Sequence, residues 1–168
     1  LAHGTSTLGL IELADGHPAD ALAAVEQALA LVRTLADTRS VALIAATAAD
    51  AARCQEEYAR AAELYSESLA LYHDLGNRSE IPAILHNQGY VALGLHDHAA
   101  ARDLFIASLR RQQAAGNRAG MVEGLNALAA LAVAQQRPER AARLFAAAEA
   151  IGAAAEVRTI PRGSEMTC

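Results

Sequence analysis

The sequence predicts an all-α fold, a solenoid of four helix pairs with a forty-residue period, and three observations carry that prediction. The chain matches itself without gaps when slid by forty residues. Segment 57–69 lies over 97–109, and both run on to Gly-Asn-Arg, at Gly76-Asn77-Arg78 and Gly116-Asn117-Arg118. A repeat of this length marks units that bury their apolar faces only against their neighbours. Apolar or small residues also recur at helical spacing, as in Ala61, Leu64, Tyr65, Ser68, Leu69 and Tyr72. Finally, the 168 residues are 53% hydrophobic and 20% charged, a globular composition. The apolar share is mostly Ala, Leu and Val with no Trp. Helices must therefore approach through small side chains.

Each unit divides into a first helix, A, and a second, B. The A helices are expected near 3–14, 41–55, 80–95 and 120–135, and the B helices near 18–35, 58–75, 98–115 and 138–151. In the B helices one column is alanine in every unit: Ala21, Ala61, Ala101 and Ala141. An alanine there lets the two helices of a pair close up, and Val25, Tyr65, Phe105 or Phe145, four residues on, fills the space beside it. Gly76 and Gly116 fall where a helix ends in a left-handed residue. Asp37, Asn77 and Asn117 follow at the next corner position, where a side-chain oxygen caps the next helix. Pro18 and Pro138 open B helices at no cost in hydrogen bonds. Pro82 lies five residues past Asn77, so the third A helix is expected to start nearer Arg78 or Ser79 with Pro82 in its first turn.

The repeats divide the domain 1–152 into units of about 1–36, 37–76, 77–116 and 117–152, followed by a tail, 153–168. In the tail the register puts Glu156 and Val157 where Gly-Asn stood, and Pro161 and Gly163 interrupt the rest. No fifth unit is expected. The tail either lies disordered or crosses the last helix on Val157 and Ile160, because Leu144, Phe145 and Ile151 would otherwise lack a cover. The chain opens at Leu1 without Met and reads as a piece of a larger product.

Charge and cysteine content exclude several classes. A net charge of −5 argues against a nucleic-acid partner. No apolar run reaches the roughly 20 residues needed to cross a bilayer, and no signal peptide opens the chain, so a cytoplasmic location is expected. Cys54 and Cys168 show neither disulfide nor zinc spacing and read as a packed thiol and an incidental one. His96-Asp97-His98 reads as a solvated turn, since its equivalents, Glu56-Glu57-Tyr58 and Gln136-Arg137-Pro138, hold no ligand set. There is no P-loop. Ser6, Thr7, Cys54 and His86 form no recognisable triad, so no enzymatic activity, cofactor or metal is expected.

In these columns the chain resembles the tetratricopeptide repeats (TPR). The family's small-large-small pattern falls on Ala61, Tyr65 and Ser68, and again on Ala101, Phe105 and Ser108. The unit is forty residues instead of about 34, the family's early Trp is absent, and its early Gly appears only at Gly9 and Gly89. The six extra residues imply about 9 Å more helix, expected in long B helices. Leu-Gly-Asn-Arg (75–78) and the run 141–150 are similar to the C-terminal repeat region of bacterial signal-transducing ATPases and LuxR-type transcriptional regulators.

The resemblance implies a right-handed superhelix whose A helices line a concave, partner-binding groove. Carried over by column, the groove positions are His3, Ser6, Thr7, Leu10 and Leu13 in the first unit, then Leu43, Ala46, Thr47, Asp50 and Arg53. The third unit supplies Ala83, His86, Asn87, Tyr90 and Leu93, and the fourth Glu123, Asn126, Ala127, Ala130 and Val133. The candidate contacts are Thr47, Asp50, Arg53, His86, Asn87, Tyr90, Glu123 and Asn126. These can hydrogen-bond an extended peptide or a helix. Asn87 resembles the Asn of peptide-clamping members, but the chain contains no Lys to hold a terminal carboxylate. The implied function is a protein or peptide interaction scaffold, a regulatory module of a larger bacterial protein. The alternatives are an oligomerisation module that pairs with a second copy and a small-molecule or peptide sensor.

Overall fold

A computed structural model describes residues 18–156, with side chains for 22–153. The expected first A helix, groove positions 3–13, the docking of Val157 and Ile160, and Cys168 lie outside the described residues. Seven helices follow in order: α1 (Pro18–Thr34), α2 (Thr38–Cys54), α3 (Tyr58–Asp74), α4 (Ile81–Gly94), α5 (His98–Ala114), α6 (Arg118–Ala134) and α7 (Pro138–Glu156). No strand occurs among the described residues. The chain forms two compact units, Leu1–Leu104 and Phe105–Cys168. In the first, α1 packs on α2, α2 on α3, α3 on α4, and α2 also meets α4. In the second, α6 packs on α7.

The backbone repeats at half the period of the sequence. Ala36, Glu56, Gly76, His96, Gly116 and Gln136 all have φ between 53° and 68°, one left-handed residue every twenty. Only two are glycines, so the sequence signals a third of the corners it makes. At five of them the next residue's N–H bonds back to the carbonyl five residues earlier, as in Asn77 to Tyr72 at 3.0 Å and Arg137 to Ala132 at 2.9 Å. At four of these five corners that second residue immediately precedes the following helix, Asn77 being the exception. Asp37 and Asn117 cap as expected, accepting the N–H groups of Ser40 and Gly120, each at 3.1 Å.

The B helices are long as expected, α1, α3 and α5 having 17 residues each and α7 having 19, although α2 and α6 also reach 17. One expectation about a helix start fails: α4 begins at Ile81, not at Arg78 or Ser79. A helix begun at Arg78 would need a Pro82 N–H to bond the Arg78 carbonyl, and the ring would clash with that carbonyl. Pro82 instead lies at the very start of α4, and Asn77 turns the chain by accepting from Ser79 N at 3.2 Å and Ser79 Oγ at 2.6 Å.

The alanine column packs as its size demands. Ala61 and Ala101 are fully buried and Ala141 nearly so, as are Val25, Tyr65 and Phe105 beside the column; the side chain of Ala21 is not described. Phe145 departs from the expectation: it remains 46% exposed. Ser68, buried, donates to the Ala42 carbonyl at 2.7 Å and so joins α3 to α2 without an unmet polar group. At Gly94 a Cβ would come within 2.4 Å of the Tyr58 ring, so glycine is what lets α4 end against the start of α3. Cys54, expected as a packed thiol, is exposed, because it closes α2 at the corner.

Candidate functional site

Asp50 lies in the last turns of α2, where the helix dipole disfavours an anion. The fold compensates it from two other helices. Tyr65 of α3 donates its hydroxyl to Asp50 Oδ1, and Asn87 of α4 donates Nδ2 to the same oxygen at 2.8 Å. Arg53, one turn further along α2, stands 3.9 Å from that oxygen. One carboxylate oxygen thus joins three helices, all within the first unit.

Burial pushes the Asp50 pKa above its ordinary 3.8, against the lowering effects of Tyr65, Arg53 and Asn87. Burial, with the neighbouring Asp50 charge, also raises Tyr65 above its ordinary 10, so the phenol remains the donor. Asp50 nevertheless keeps 37% of its side chain in solvent and Arg53 keeps 31%. The Arg53 Nε is buried without a hydrogen-bond partner among the described residues. The cluster is hydrogen-bonded across helices on its inner side and accessible on its outer side.

The remaining candidates distribute as follows. His86 and Tyr90 stack edge to face on α4, with ring centroids 5.1 Å apart, both partly exposed. Thr47 is 7% exposed, and its hydroxyl donates to the Leu43 carbonyl of its own helix at 3.1 Å. Glu123 and Asn126 of α6 are exposed and belong to the second unit, where Asn126 lines a hollow of about 680 Å³ with Val122, Phe145, Ala148 and Gly152. Thus α2 and α4 bring Asp50, Arg53 and Asn87 together, with His86 and Tyr90 on the same α4 segment.

Sequence reasoning placed Tyr65 in the core column and missed its hydroxyl. A signal existed. Tyr65 is the one hydroxyl in a column otherwise Val25, Phe105 and Phe145, and Asp50 is the one acid in the column Leu10, Asp50, Tyr90 and Ala130. Both anomalies fall in the same repeat.

The His96 and His98 rings lie 6.4 Å apart, and Asp97 between them is used as a cap, accepting the Ala100 N–H at 3.0 Å. Among the described residues no group of three or more His, Cys, Asp or Glu could hold a metal ion. No described helix is long and apolar enough to cross a membrane.

No protein-family model matches the chain, and no curated protein matches it. Solved structures do. BtubC (BKLC) from P. vanneervenii superposes with a TM-score of 0.81 at 21% identity over 93% of this chain, which spans 65% of that protein. A Podosopora anserina protein of nearly identical TPR-like repeats gives 0.75 at 18% identity, covering 93% of this chain and 76% of that one. MamA gives 0.68 at 15% identity, covering 93% and 81%. At such identities the likeness speaks to the fold alone. The chain has the all-α, TPR-like helical-repeat fold.

Proposed function

We propose that the chain is a protein-interaction scaffold that binds a peptide or partner domain along the α2 and α4 face, in a regulatory module of a larger bacterial signalling or transcriptional protein. The observation that carries the binding reading is the Asp50 cluster. A carboxylate, an amide and a guanidinium are gathered by part-buried hydrogen bonds among three helices and one ion pair, while a third of the carboxylate and guanidinium side chains faces water. Such preorganised donors and acceptors lose little entropy when a backbone segment hydrogen-bonds to them. His86 and Tyr90 add a half-exposed aromatic pair on the same helix, suited to an apolar side chain. On α6, Asn126 stands in the His86 column and Glu123 in the Ala83 column.

A phage-displayed peptide library selected against the purified protein supplies the ligand for the test. The selected peptide is then titrated calorimetrically into wild type and into Asn87→Ala/Tyr90→Ala. Affinity is expected to fall by at least about tenfold with helicity unchanged. Wild-type affinity in the double variant would move the site off this face.

A further inference from the structure

Three arginines gather at the start of α7, two of them where the second and third repeats carry acids. In register, Glu57, Arg60 and Glu63 of the second repeat and Asp97, Ala100 and Asp103 of the third become Arg137, Arg140 and Arg143 in the fourth. The reversal opposes the helix it sits on. Arg137 immediately precedes Pro138, the first residue of α7, and Arg140 lies in the first turn, where the dipole favours anions. Asp97, at the equivalent of Arg137, caps α5 through its carboxylate; an arginine has no acceptor to offer there.

Three of the other exposed arginines have acidic partners. Arg33 pairs with Glu67 at 2.6 Å, Arg60 with Glu26 and Glu63 at 3.1 and 3.2 Å, and Arg102 with Asp103 at 2.9 Å. Arg137 and Arg140 make no side-chain hydrogen bond or ion pair with other described residues. Arg143 reaches only its own helix, its Nε donating to the Glu139 carbonyl at 3.4 Å. All three line one open depression of about 330 Å³ together with Gln136, Pro138 and Glu139. Concentrating unpaired cations at a helix start, in a chain of net charge −5, costs stability that an anionic partner would return.

The spacing selects the kind of anion. Arginines at i, i+3 and i+6 rise about 4.5 Å per step, so the row spans about 9 Å. An extended segment advances about 6.6 Å every second residue, so two carboxylates of an acidic run can each meet a guanidinium in a paired hydrogen bond. A nucleic acid would carry phosphates well past three arginines and onto an acidic protein. We propose that this corner of the second unit docks an acidic protein segment, a run of Asp and Glu, as an interaction surface separate from the Asp50 cluster.

The test uses a fluorescein-labelled hexaglutamate peptide and anisotropy at low ionic strength. The variant Arg137→Asp/Arg140→Ala/Arg143→Asp installs the residues of the third repeat, which cap a helix there already. It is expected to melt no lower than wild type and to lose at least about tenfold in affinity. Wild-type affinity is expected to fall as salt rises. Arg137→Gln/Arg143→Gln, a milder change, should lose affinity in the same direction, while Arg110→Ala/Arg111→Ala on α5 should bind as wild type does. Equal binding by the triple variant and wild type would overturn the proposal, as would no binding of the peptide by wild type. An oligonucleotide of equal charge that binds more tightly than the peptide would overturn it in favour of nucleic acid.

Discussion

The second and fourth repeats place different chemistry on the same columns. In α2 and α3 the columns hold Asp50 and Tyr65, joined by a hydrogen bond, with Tyr65 fully buried. In α6 and α7 they hold Ala130 and Phe145, with no polar atom to join and Phe145 46% exposed. Yet Ala61 and Ala141, the small residues that set each pair's approach, are both buried. The alanine column is therefore sufficient to pack a pair, and the Asp50 bond is an addition to that scaffold. An addition that buries part of a carboxylate at the wrong end of a helix dipole costs stability. What it provides is a fixed Asn87 and a fixed, half-exposed carboxylate.

The difference between the repeats is open to three measurements, the largest effect first. Tyr65→Ala should cost about 3 to 5 kcal/mol, because it empties a fully buried aromatic site and strips Asp50 of a donor. Phe145→Ala should cost about 1 kcal/mol or less, since much of that ring already meets water. Urea unfolding of the two variants measures both, and equal losses would show that the two positions of this column are equivalent after all.

The second measurement concerns charge. The Asp50 pKa in the folded protein is raised by burial, so the folded state holds its proton more tightly than the unfolded chain does. Stability from this group is therefore fully present below the unfolded value near 3.8 and is lost as pH rises through the folded pKa. Asp50→Asn removes that titration while keeping an oxygen that can accept from Tyr65 and Asn87. Relative to this variant, wild type should become progressively less stable from acid to neutral pH. The fourth repeat, with Ala130 at the position, has no such dependence to lose. A stability difference that stays constant with pH would remove the argument for a strained carboxylate.

The smallest effect belongs to the corners. Gly116→Ala should destabilise by about 1 kcal/mol, because a Cβ at positive φ meets the following carbonyl. Gln136→Gly, one half-repeat later, should stabilise by up to about 1 kcal/mol for the converse reason. Thermal melts of the two variants moving in the same direction would contradict the shared left-handed geometry.

How legible the molecule was depends on whether a signal is local. Helix starts at Pro18, Tyr58, His98 and Pro138 were readable because proline, alanine spacing and the repeat all agree there. The late start of α4 was not, although Pro82 announced it, since the cap at Asn77 pointed to an earlier start and only the ring's clash with a preceding carbonyl decides between them. The corners at Ala36, Glu56, His96 and Gln136 carried no glycine, so their left-handed geometry was invisible. Asp50, Arg53 and Asn87 were picked out by column, but Tyr65 was hidden among core residues.

What the sequence determined by itself is the repeat: a forty-residue period, helices of one apolar stripe, and an alanine at each pair's closest approach. These are local and periodic, and periodicity in a chain translates directly into periodicity in space. What only the tertiary structure decided is which side chains from different helices share an atom. That Asp50 Oδ1 takes bonds from Tyr65, fifteen residues away, and from Asn87, thirty-seven away, follows from how α2, α3 and α4 pack. Phe145 stays exposed while Tyr65 in the same column is buried, and that too depends on neighbours. A column assigns each residue a face of its helix; burial and hydrogen bonding are settled by what packs against that face.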